Sequence, residues 1–99
     1  MAKIDASKLV EKLETLRGLD FEAAEAEERA AGNTAVEMTF SKSFQVRLAA
    51  KALGENVHDL KSLPLKDYYK ITAQVSRFLF AGLEGEETQS ANSENSPQN

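Results

Sequence analysis

The sequence predicts an all-α protein: a small bundle of about four to five helices over residues 1–81, followed by a disordered acidic tail over 82–99. Three observations carry this. Leucines and other apolar residues recur at steps of three and four along most of the first 80 residues. Glycine, asparagine, serine and proline punctuate those runs where helices stop and start. Only VEMTF, residues 36–40, alternates like a strand, and a lone strand has no partner to pair with.

The first element is expected over residues 5–17, DASKLVEKLETLR, where Leu9, Leu13 and Leu16 share a face with Val10 beside them. Asp5 or Ser7 is placed to cap its free amides, and Gly18 ends it. Asp20 is the expected cap of the next helix, FEAAEAEERAAG, whose alanines and glutamates favour helix by propensity. Phe21 is its only large apolar side chain, so it buries a thin stripe. Gly32 and Asn33 tolerate the left-handed conformation that closes a helix. VEMTF then reads as an extended connection or as the first turn of the next helix.

Ser41 or Ser43 caps SFQVRLAAKAL, with Phe44, Leu48 and Ala52 on one face, Val46, Ala49 and Leu53 widening it, and Gly54 as the stop. Asn56 caps a short helix, VHDLKSL, pointing Val57, Leu60 and Leu63 one way. Pro64 limits that helix and suits the first position of the next, because its missing amide would be unpaired there. In PLKDYYKITAQVSRFLF the stripe is Leu65, Tyr68, Thr72, Val75 and Leu79. Tyr69, Ile71, Phe78 and Phe80 add apolar surface outside it, more than one face can bury. The surplus around Phe78 and Phe80 is either enclosed as core or exposed for a partner. Beyond Gly82 the polar, glutamate-rich sequence has almost nothing to bury.

Composition narrows the function classes. The net charge of −4 is uneven, with segment charges of +1 for residues 1–19, −4 for 20–31, +3 for 32–83 and −4 for 84–99. Acidic flanks repel a phosphate backbone, so nucleic acid is an unlikely partner and another protein the expected one. The sequence shows no secretory leader pattern and no membrane-length apolar run, so a cytoplasmic protein without a membrane partner is expected.

With no cysteine and one histidine, the chain has neither a thiol nucleophile nor a paired-histidine metal motif. His58 and Asp59 point in different directions on a helix, and no glycine-rich phosphate loop is present. Glu22, Glu25, Glu27 and Glu28 could gather a hard cation, but on a regular helix such a run reads as solvated surface. The expectation is a non-enzyme with no catalytic residue, cofactor or metal.

One stretch invites a DNA-binding alternative. RLAAKALGENVHDLKSLP, residues 47–64, resembles a helix-turn-helix, which would make the chain a small DNA-binding regulator. Its second helix would present Asn56, His58, Asp59, Lys61 and Ser62, a short set that includes an acid.

Residues 46–80 combine an LAAKALG helix, a short helix containing DL, an LP-x-KDY-like helix start and a V-x-x-FLF end. In this the chain resembles the tail assembly chaperones of long-tailed bacteriophages, over about a third of its length. The resemblance implies a non-enzymatic protein of the bacterial host cytoplasm, absent from the finished virion. Its client would be the tape-measure protein, with the tail-tube protein as a further candidate. It also implies that a longer product could arise by frameshift. On this reading Tyr68, Tyr69, Val75, Phe78, Leu79 and Phe80, helped by Leu9, Leu13 and Leu16, form the client surface or a homo-oligomer surface.

Overall fold

The computed structural model describes residues 6–90, with side chains over 7–81. Its α-helices are α1 (Leu9–Leu13), α2 (Gly18–Ala30), α3 (Lys42–Leu53), α4 (Val57–Lys61) and α5 (Leu65–Ser90). Short 3-10 turns at Ala6–Lys8 and Met38–Phe40 precede α1 and α3, and no strand occurs among the described residues. The all-α expectation holds. Helix α3 is central, packing against α1, α2, α4 and α5.

The core follows the predicted periodicity in most places. Leu9 and Leu13 of α1, Phe44, Val46, Leu48 and Ala49 of α3, Leu60 of α4, and Ile71 and Val75 of α5 are buried together. Phe44 meets Phe21 edge-on at a centroid distance of 4.9 Å, so Phe21 anchors α2 to the centre while Leu19 of the same helix stays exposed. Thr72 is buried without an unpaired hydroxyl, because its Oγ1 donates to the Tyr69 carbonyl at 3.0 Å. Ile71 belongs to the core, against the expected stripe. Leu65 instead lies 80 % exposed, because the first turn of α5 starts beyond the edge of its neighbours.

Helix ends explain the turns. At the end of α3, Gly54 has φ +69°, Glu55 N–H donates to Ala50 C=O at 2.9 Å and Gly54 N–H to Lys51 C=O at 3.4 Å. That is a Schellman closure. It recurs after α2, with Gly32 at φ +102°, Asn33 N–H on Glu28 C=O at 2.9 Å and Gly32 N–H on Arg29 C=O at 3.0 Å. Ser41, rather than Ser43, caps α3: its Oγ accepts from Phe44 N–H at 3.3 Å. Ser43 Oγ instead accepts from Lys61 Nζ at 2.7 Å, which ties α4 back to α3.

Boundaries differ from expectation in several places, beginning with α1, which stops at Leu13 rather than at Arg17, so that Gly18 starts α2 instead of ending α1. Helix α2 begins at Gly18 with Asp20 in its third position, where its carboxylate accepts the Arg17 backbone N–H at 2.8 Å. Pro64 precedes α5 and accepts the first helical bond, from Tyr68 N–H at 3.0 Å. Helix α5 is continuous from Leu65 to Ser90. Asp5 and residues 91–99 lie outside the described residues.

The acidic face of α2 is partly an interface. Glu28 is only 1 % exposed. Its Oε2 accepts from Arg47 Nε at 2.6 Å and its Oε1 from Asn33 Nδ2 at 2.8 Å. Glu27 accepts from Arg47 at 3.3 Å and from Lys51 at 3.1 Å, while Glu25 pairs with Arg29 at 3.3 Å on the same helix. Burial pushes the Glu28 carboxyl up, but hydrogen bonds from Asn33, Arg47 and Ser43 and the Arg47 charge outweigh it. The net result lies below the usual carboxylate range. Asn33 Nδ2 also donates to Ser41 Oγ at 2.9 Å, so one buried polar cluster joins the end of α2 to the start of α3.

Candidate partner-binding surface

Beyond Val75, α5 outruns the helices that bury it, and its aromatic run becomes a ridge between grooves. Along one side, Leu13, Leu16, Phe21, Phe78 and Leu79 line a mainly apolar groove between α5 and the α1–α2 corner, with Glu14 and Arg17 also in its lining. On another, Phe21, Phe40, Leu79 and Phe80 line a second, with Glu37 and Thr39 at its rim. A third runs past Val10, Gln74, Phe78 and Ala81. Phe78, Leu79 and Phe80 are each half-buried. Phe78 and Leu79 pack against the core, whereas Phe80 stacks on Phe40.

Phe40 completes the surface. It is 67 % exposed and stacks on Phe80 at a centroid distance of 5.1 Å and an interplanar angle of 22°. A buried anchor holds it there, since Met38 of the same 3-10 turn is in the core. Gln45 Nε2 also donates to the Thr39 carbonyl at 2.8 Å. Sequence reading misses Phe40 because VEMTF looks strand-like. The one signal that could find it is an aromatic residue directly before a cap serine, where it can lie across the helix entry.

The other expected surface residues divide. Val75 is fully buried and has no surface to offer a partner, because it sits on the α5 face closed by the bundle. Leu9 and Leu13 are core for the same reason, whereas Leu16 does reach a groove. Tyr68 is half-buried against the core. Tyr69 is 59 % exposed, under Lys42 Nζ at 5.4 Å from the ring centroid. At 1.5 Å per residue it stands about 16 Å along α5 from Phe80, outside the grooves.

The stretch that resembles a DNA reader is laid out for packing. Helix α4 has five residues, Leu60 is buried, and Lys61 is engaged by Ser43. Asp59 is exposed among the residues a recognition helix would present. No group of three or more histidine or acidic side chains is placed to hold a metal among the described residues. No described helix is long and apolar enough to cross a membrane.

Fold and surface define a class: a small helical protein with a closed core and an exposed aromatic ridge flanked by apolar grooves. Comparison with protein families, curated proteins and solved structures finds no match to the chain.

Proposed function

We propose that this chain is a non-enzymatic binding protein that takes an apolar helix of a client in the grooves around Phe40, Phe78 and Phe80. We propose further that it is a tail assembly chaperone of a long-tailed bacteriophage. The observation that carries the first part is the stacked Phe40–Phe80 pair, two aromatic rings from separate elements held at the surface. An aromatic ridge flanked by apolar grooves suits the side chains of an amphipathic helix laid beside it. The second part is supported by the resemblance of residues 46–80, which names the tape-measure protein as client and the tail-tube protein as a second one. Such a protein works in the host cytoplasm and leaves before the particle is complete. Covering a long apolar helix would keep the client soluble until the tail is built, and the acidic flanks of the chain help solubility.

The test is co-expression of the full chain with a tape-measure protein from the same genome. A soluble complex that co-elutes on size exclusion is expected. A client that stays insoluble, or that elutes apart from the chain, refutes the proposal.

A further inference from the structure

Arg77 stands on the ridge between two of the surface hollows. It borders Val10, Gln74, Phe78 and Ala81 on one side, and Ser76, Phe80 and Ala81 on the other. It is exposed, and none of the ion pairs among the described residues includes it. The neighbours at three and four residues either way on its helix, Ala73, Gln74, Phe80 and Ala81, include no acid. Arg29 and Arg47, by contrast, each hold a carboxylate. A cation set amid apolar grooves with no acid paired to it among the described residues is half of an ion pair. An arginine fork is the side chain suited to complete that pair at an interface.

The occupant is fixed by charge and area. Phe40, at 67 % exposure, offers on the order of 130 Å² of an aromatic surface of about 200 Å². Adding the outer faces of Phe78, Leu79, Phe80 and Val10 brings the apolar patch to roughly 300–400 Å², at most about half of what one side of an obligate homodimer buries in apolar area. A second copy docked symmetrically on this ridge would also bring Arg77 toward its own twin, since a two-fold interface pairs the same patch with itself. One helix with an acidic flank fits both limits.

We propose that the partner segment is an amphipathic helix carrying a carboxylate one turn from its apolar anchors, and that Arg77 selects it. This rests on the helix-binding reading above and adds the charge of the partner to it. The probes are two labelled synthetic helices with the same leucine stripe, one flanked by glutamate and the other by lysine. Each is titrated against the full chain by fluorescence anisotropy.

The glutamate helix should bind about three- to ten-fold more tightly at low salt. The difference should narrow as salt rises. R77Q should remove the preference and R77E reverse it, with unchanged circular dichroism because the side chain is exposed. Equal binding of the two helices, or a preference that survives R77E, overturns the selective role while leaving helix binding intact. If neither helix binds, or if sedimentation shows a dimer that F80S dissolves, both the selection and the helix-binding reading fall.

Discussion

Replacing Glu28 by alanine removes the centre of the polar cluster that fixes α2 on α3. The hydrogen bonds from Arg47 at 2.6 Å, from Asn33 at 2.8 Å and from Ser43 are lost. A charge-assisted bond is worth about 1.5–3 kcal/mol and a neutral donor's bond to a charged acceptor falls near the low end of that range. Some of this is recovered. Arg47 keeps Glu27 at 3.3 Å and has 17 % of its side chain exposed, so its charge is not stranded. Asn33 keeps Ser41 at 2.9 Å.

The expected net loss from E28A is therefore about 2–3 kcal/mol, below the 3–5 kcal/mol of a fully buried broken pair. In a domain of this size that lowers Tm by roughly 8–24 °C. Urea unfolding followed by circular dichroism at several pH values measures it. Because the folded carboxyl titrates below its ordinary value, its stabilisation is complete above the unfolded pKa and is lost as pH falls through the folded one. The wild-type advantage over E28A should hold at neutral pH and shrink below about 4.5. A loss under about 0.5 kcal/mol at neutral pH, or an advantage that grows on acidification, would refute the role given to this cluster.

Other substitutions separate core from surface by the same unfolding assay. Phe44→Ala empties the contact with Phe21 and should cost about 3–5 kcal/mol, enough to unfold much of the population at 37 °C. Ser41→Ala removes the cap of α3 and one partner of Asn33, for about 1–2 kcal/mol. Gly54→Ala forces a side chain into φ +69°, costing about 1–2 kcal/mol without touching the surface grooves.

Much of the fold is legible because local rules and tertiary packing agree along α1, α3 and α4. Leu9, Leu13, Phe44, Leu48 and Leu60 lie where the period places them, and Gly32 and Gly54 close helices as their conformational freedom suggests. Legibility fails where a residue's environment is set by distant sequence. Glu27 and Glu28 read as solvated because their partners, Arg47 and Lys51, lie 19 to 24 residues away. Leu65 fits the helical stripe yet faces water, since periodicity does not say where the neighbouring helices stop. The aromatic end of α5 is recognisable as surplus from composition alone. Its continuation by Phe40 is not, because that contact closes across 40 residues of sequence.

The most direct measurement compares fold and client binding in the F40S/F80S variant. Both rings are partly exposed, so helix content should be retained and the loss in stability should stay near 1–2 kcal/mol. Affinity for the proposed tape-measure client should fall at least about ten-fold, as expected when aromatic anchors are removed from an interface. Unchanged affinity in a destabilised variant would contradict the central claim, leaving the Phe40–Phe80 stack as part of the core and nothing more.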